Sequence, residues 1–209
     1  MAEKVDFKYN DGSKVFMVSD THFCHEAIMK FCNRPFSSVE EMNAVMIEKW
    51  NNKVPKDGLV FHLGDFAWGG YPKWKEIRDQ LNGKIILIKG NHDRKNLTKT
   101  GESLFEFVTP QMKIEVEGQQ IYLNHYPLLC YSGTYRDREN LVWALNGHTH
   151  IGPNSKSGLD FDRMRMTLPT QYDVGVDMNN FEPLSFHEVK DKIDYQLDNN
   201  VNMMCWINE

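Results

Sequence analysis

Three short and almost wholly apolar runs mark the first half of the chain: Lys14 to Ser19, Leu59 to Leu63 and Lys84 to Lys89. None alternates regularly with polar residues, so each predicts a strand buried on both faces. Between the first two, Ser38 followed three residues on by Glu41 is a capping-box signature, and Met42, Val45, Met46, Lys49 and Trp50 recur at helical spacing through about Asn52. Tyr71 to Leu81 predicts a second helix, stopped near Asn82-Gly83. The order β-α-β-α-β favours neighbouring parallel strands.

The second half has a different texture. Met112 to Val116 and Gln120 to Asn124, joined across Glu117-Gly118-Gln119, predict a hairpin and therefore an antiparallel element. Leu141 to Leu145 and Tyr172 to Val176 predict further strands, Pro183 to Leu197 has a helical pattern, and the tail from Asn199 is ambiguous. No repeat or Pro/Gly-rich linker interrupts the chain, so residues 1–209 are expected to form a single α/β domain with mixed sheets.

Composition narrows the function. With 41% hydrophobic residues among 209 there is material for a substantial core. Twenty-four basic against 29 acidic side chains give a net charge of −5, the wrong sign for a protein that mainly grips a nucleic-acid backbone. The longest apolar runs are strand-sized, and Met1 to Asp6 lacks the apolar stretch of a signal peptide, so no membrane span and a cytoplasmic location are expected. Cys24, Cys32, Cys130 and Cys205 form no Cys-x-x-Cys pair, as expected of reduced thiols.

The chemistry gathers where strands end. Asp20-x-His22, Gly64-Asp65, Gly90-Asn91-His92-Asp93, Asn124-His125 and Gly147-His148-Thr149-His150 each follow a predicted strand, the end at which open α/β sheets hold ligands. Strand-like alternation would bring Asp20 with His22, and His148 with His150, to one face, which is ligand spacing. The adjacent Asn91 and His92 would then point to opposite sides, with different roles.

This series resembles the motif blocks of the calcineurin-like metallophosphoesterase superfamily. The resemblance implies a sandwich of two mixed β-sheets flanked by helices. It implies one metal held by Asp20, His22 and His150, another held by Asn91, His125 and His148, and Asp65 bridging the two. His92 is by the same resemblance the catalytic histidine that binds no metal. Nitrogen and oxygen donors without thiolate favour a first-row ion, with Mn²⁺ expected and Fe, Zn²⁺ or Ni²⁺ as alternatives. Two such ions would attract an anion and activate a shared water, which points to a phosphate ester as substrate.

Departures from the family's phosphoprotein phosphatases narrow the class. Where those read Gly-Asp-x-Val-Asp-Arg-Gly, this chain reads Gly64-Asp65-Phe66-Ala67-Trp68-Gly69-Gly70, so their phosphate-gripping arginine is missing, and so is the carboxylate that orients their histidine. A closer likeness is to small phage and bacterial phosphoesterases, whose first motif continues much as Ser19 to Glu26 does, through to Asn33-Arg34-Pro35-Phe36. The expected activity is hydrolysis of a small, nucleotide-like mono- or diester. A nuclease of the same superfamily, or a non-catalytic metal-binding scaffold, is the alternative. His25 and Arg34 are candidate substrate-binding residues, Arg34 as a fork donor to phosphate. His62 is expected in the core, His187 in solvent, and the loops Leu129 to Asn140 and Pro153 to Gln171 are candidate substrate readers.

Overall fold

A computed structural model describes residues 7–97, 99–134, 137–154 and 163–208. Two five-stranded sheets pack face to face, and both are mixed. One contains β2 (Val15–Val18), β3 (Leu59–His62), β4 (Lys84–Ile88) and β5 (Phe107–Thr109) in parallel, with β10 (Leu184–Ser185) antiparallel on the β2 edge. The other has the order β1 (Lys8–Tyr9), β6 (Gln111–Val116), β7 (Gln119–Asn124), β8 (Trp143–Asn146) and β9 (Gln171–Asp173). Only its β6–β7 pair is antiparallel.

The missing polar alternation in β2 has a direct cause. Val15 and Met17 enter the core between the sheets with Ile114, Leu123 and Leu145, while Phe16 and Val18 enter a second core beneath the helices. That second core receives Met42, Met46 and Trp50 from α2 (Val39–Lys53), and Trp74 and Ile77 from α3 (Tyr71–Arg78). Glu41 N–H donates to Ser38 Oγ at 3.1 Å as the capping signature requires, but the Glu41 carboxylate reaches back to Ser37 rather than to Ser38.

Several elements differ from the sequence reading. The hairpin turn is the two residues Glu117 and Gly118, both left-handed (φ 49° and 83°), so Gln119 already pairs with Val116. Glu26–Phe31 forms a short helix, α1, directly after the Asp20-His22 motif, and two more short helices, α4 (Asp93–Asn96) and α5 (Lys99–Glu102), follow β4. Leu184–Ser185 is a strand, and Ser185 then caps α6 (Phe186–Asn199) through a full capping box with Glu188. Trp50, Trp74 and His62 are buried as expected, His187 is exposed, and all four cysteines are thiols. Among the described residues no helix is long and apolar enough to cross a membrane. Tyr135 and Arg136 of the candidate substrate loop lie outside the described residues, as does most of the span between Pro153 and Arg163.

Candidate metal centre

Both sheets deliver side chains to one point. The loops leaving β2, β3 and β4 carry Asp20 and His22, Asp65, and Asn91 and His92, while those leaving β7 and β8 carry His125, and His148 and His150. The i, i+2 pairs do not converge by strand alternation. Asp20, His22, His148 and His150 are each left-handed (φ 56°, 47°, 71° and 48°), and so is Asp65 (φ 57°). Non-glycine residues adopt that conformation at a cost of order 1–3 kcal/mol each, and such strain concentrates at functional sites. The motif glycine Gly90 permits the close approach: a Cβ there would lie 2.2 Å from Asp65 Oδ1.

Asp20, His22 and His150 form one group whose ligand-type atoms all lie within 4.8 Å of one another. Asp20 Oδ2 accepts the His148 N–H at 2.8 Å, which leaves Oδ1 facing His150 Nε2 at 3.7 Å. The other ring nitrogen of His150, Nδ1, is 2.8 Å from Asp177 Oδ2. A carboxylate can only accept, so Nδ1 carries a proton and Nε2 is the nitrogen turned to the centre.

A second group contains Asp20, Asp65 and His125. Asp65 Oδ1 accepts the His92 N–H at 2.8 Å, and Oδ2 stands 3.4 Å from His22 Nε2 and 3.6 Å from His125 Nε2, between the two groups. His125 Nδ1 donates to Leu63 O at 2.7 Å. Its Nε2 is turned to Asn91 Oδ1, 2.9 Å away, so the two atoms are close enough to share a cation. His148 is at the edge of this group, its ring 5.0 Å from that of His125.

The fit to metal ions rests on unpartnered atoms. Among the described residues five buried side-chain polar atoms lack a hydrogen-bond partner, and three of them, Asp20 Oδ1, His22 Nε2 and Asp65 Oδ2, belong to this cluster. Buried polar atoms are rarely left unsatisfied, and bound ions are one remedy. Nitrogen and carboxylate donors suit a divalent first-row ion.

The surroundings shift several proton affinities. Burial lowers His22 to about 4 and His62 to about 3. Burial would lower His150 too, but its bond to Asp177 and the nearby Cys32 and Asp20 hold it well above the usual histidine value. Asp93 rises to about 6 through burial and the charge of Asp65, and Asp173 to about 7 through burial and the charge of Asp20.

The remaining candidate residues divide. Arg34 does not face the centre. Its side chain is fully buried, with Nε 2.8 Å from Asp177 Oδ1, Nη1 donating to Thr21 O at 2.9 Å, and Nη2 donating to Asp20 O at 2.7 Å and Asp177 Oδ2 at 3.0 Å. With its fork spent on a carboxylate and two carbonyls, Arg34 holds the first motif in shape instead of binding phosphate. His25 does reach the site, at the N-terminus of α1, lining the same cavity as His92. His92 does not point away from the centre: its Nε2 is 4.0 Å from Asp65 Oδ2 and its side chain is 41% exposed. Strand alternation does not apply to it, because His92 has helical φ and ψ (−81°, −22°) as the cap of α4.

Three residues of the site lie beyond the sequence reading. Asp177 orients His150. Asp173 accepts the Thr149 hydroxyl behind the His148-His150 loop. Trp68 lies against His25, with ring centroids 4.3 Å apart and planes 9° apart. Asp93, known from the sequence only as the end of its motif, ties the loop after β3 to the loop after β4. Its buried carboxylate accepts the N–H groups of Asp65, Phe66 and Gly90 at 2.9, 3.0 and 2.7 Å. An acidic residue at the end of a buried strand is the available signal for Asp173, the last residue of β9, whereas Asp177 lies beyond that strand.

Comparison with known proteins agrees with this geometry. The calcineurin-like phosphoesterase superfamily domain matches residues 14–159. An uncharacterized protein of Methanocaldococcus jannaschii is 34% identical over 183 residues, 82% of this chain and 86% of the relative. The Gene 66 protein of Mycobacterium phage D29 is 26% identical over 196 residues, 79% of this chain and 88% of the relative. The crystal structure of a protein of unknown function from Aquifex aeolicus superposes with a TM-score of 0.62 at 26% identity, covering 85% of this chain and 97% of that one. The chain belongs to the calcineurin-like phosphoesterase superfamily, whose members are metal-dependent.

Proposed function

We propose that this chain hydrolyses a small, nucleotide-like phosphate mono- or diester with two divalent ions, Mn²⁺ foremost. The observation that carries the reading is the cluster of buried, unpartnered Asp20 Oδ1, His22 Nε2 and Asp65 Oδ2, of which Asp65, with Asn91, His148 and His150, lines a cavity of about 390 Å³. Asp20, His22 and His150 would hold one ion, Asn91, His125 and His148 the other, and Asp65 both. When bound, such ions supply charge neutralisation for the phosphoryl oxygens and a water activated towards neutral pH.

The protein's own groups do the rest. Asp177 and the Leu63 carbonyl accept from Nδ1–H of His150 and His125, so in each ring Nε2 is the nitrogen left for an ion. His92, beside Asp65 in the cavity wall, is placed to donate a proton to the departing alkoxide. Ala27, Ile28 and Phe31 of α1 add an apolar part to the cavity lining, with Phe31 68% exposed, against which the organic part of a small ester can lie.

The test is a substrate panel with added Mn²⁺: chromogenic phosphomonoester and phosphodiester, cyclic nucleotides, dinucleotides and single-stranded DNA. Turnover of a small ester is expected. Turnover of the single-stranded DNA alone would replace this reading with a nuclease, and two bound ions without any turnover would replace it with a scaffold.

A further inference from the structure

The phosphoryl group of such a substrate needs hydrogen-bond donors, and the described residues that line the cavity include no Arg or Lys. Arg34, the nearest guanidinium in sequence to the first motif, is fully committed elsewhere. A chain of proton positions supplies a different donor.

His22 Nε2 is buried, lacks a well-formed hydrogen bond and is 3.4 Å from Asp65 Oδ2, so it is the nitrogen that would face an ion in the reading above. A neutral imidazole has one N–H, so the His22 proton sits on Nδ1. That nitrogen is 3.1 Å from His25 Nδ1. Two donors cannot face each other in one hydrogen bond, so His22 donates and His25 Nδ1 accepts. His25 is thereby left with its proton on Nε2, the nitrogen on the far edge of the ring from His22. The plane of that ring is fixed independently by the parallel Trp68 indole at 4.3 Å. Trp68 is itself anchored by its backbone N–H, which donates to Phe23 O at 2.7 Å. His25 shares the cavity wall with His92, their centroids 6.1 Å apart.

We propose that His25 is a substrate-binding residue that donates its Nε2–H to a non-bridging oxygen of the phosphoryl group, with its tautomer set by His22 and its plane set by Trp68. This rests on the phosphoesterase reading above. In place of a charged guanidinium, the site would use a neutral imidazole on the cavity wall whose single proton sits on the ring edge away from His22. Trp68 and Gly69, which stand where the phosphoprotein phosphatases carry an acid and an arginine, fit that arrangement: the indole supplies a wall for the imidazole instead of a charge for the substrate.

The test combines the tautomer with phosphate affinity. Long-range ¹⁵N–¹H NMR of the Zn²⁺-loaded protein should show His25 as the Nε2–H form. Calorimetric titration of inorganic phosphate into the loaded protein should show binding weakened about tenfold or more in His25→Ala, with two ions still bound, the scale of one lost hydrogen bond to an anion. His25→Gln, whose amide can accept from His22 and donate to phosphate, should recover most of the affinity. Trp68→Leu should weaken it several-fold at unchanged metal content. An Nδ1–H tautomer, or phosphate bound equally tightly by wild type and His25→Ala, would overturn the proposal. So would loss of an ion from His25→Ala with undiminished phosphate affinity at the sites still loaded, since His25 would then only position His22. A wild-type protein that binds neither ions nor phosphate would overturn the parent reading, which separates the two failures.

Discussion

The guanidinium of Arg34 grips the carboxylate of Asp177 at both oxygens, Nε to Oδ1 at 2.8 Å and Nη2 to Oδ2 at 3.0 Å, with both side chains almost wholly buried. The same carboxylate orients His150, and the same guanidinium holds the carbonyls of Asp20 and Thr21. One buried ion pair, between residues 143 apart along the chain, thus ties together the first and last motifs.

Removing one partner of a buried pair strands the other charge, at a cost of about 3–5 kcal/mol. Arg34→Ala is therefore expected to lower the unfolding free energy by that amount, read by urea denaturation, while phosphate affinity of the folded, loaded protein stays near wild type. Wild-type stability with tenfold weaker phosphate binding would return Arg34 to substrate recognition.

Asp65 Oδ2 stands within 3.6 Å of a nitrogen from each group, His22 and His125. Asp65→Asn should then reduce total bound metal more than Asn91→Ala, since in the proposed arrangement only Asp65 would touch both ions. Elemental analysis finding two ions in both variants would remove the bridging role.

His92 lies beside the cluster, and in the proposed arrangement other residues would supply the ligand atoms. His92→Ala should keep both ions and fold normally, while turnover falls by about 10² to 10⁴, the range for a positioned general acid. The loss should be smallest with nitrophenyl leaving groups and largest with alkyl or ribose ones. Loss of an ion would make His92 a ligand, and equal activity on a poor leaving group would end the general-acid role.

His62 gives a stability prediction with a defined sign. Its Nε2 meets Thr21 Oγ1 at 2.9 Å, its Nδ1 accepts from Gly64 N, and burial lowers it from 6.5 to about 3. Below pH 6.5 the unfolded chain takes up a proton there that the native state refuses until about pH 3. The stabilisation is therefore complete above pH 6.5 and falls as the pH drops through that window, by roughly 2 kcal/mol at pH 5. Chelator-treated wild type should lose stability between pH 7 and pH 5, and His62→Gln should lose about 2 kcal/mol less over the same interval. Identical slopes would show that His62 is protonated in the native state.

Much of this is legible in the sequence, for identifiable reasons. Unbroken apolar runs betray strands covered on both faces, and the polar clusters at their ends betray the side that faces ligand. Conformation and partnership are what the sequence hides. The left-handed backbone at Asp20, His22, Asp65, His148 and His150 leaves no periodic trace, so the right residues meet for a reason other than strand alternation. Arg34 is misread from sequence because a guanidinium fork suits carboxylate and carbonyl oxygens as well as phosphate. The buried acid that occupies it, Asp177, is a lone residue after the last strand of its sheet. Ser185 and Glu188 do carry the spacing of a capping box, but the helical pattern starting at Pro183 masks it.

Seven side chains holding two ions that act together on a phosphate ester is the proposition on which the rest depends. Titration of metal-free protein with Mn²⁺, with bound metal and hydrolysis of the best panel substrate followed together, examines it without intermediaries. Activity should rise until two equivalents are bound and then stop rising, and Asp65→Asn should show no such rise. Full activity at one equivalent, or two tightly bound ions with no turnover of any phosphate ester, would contradict it.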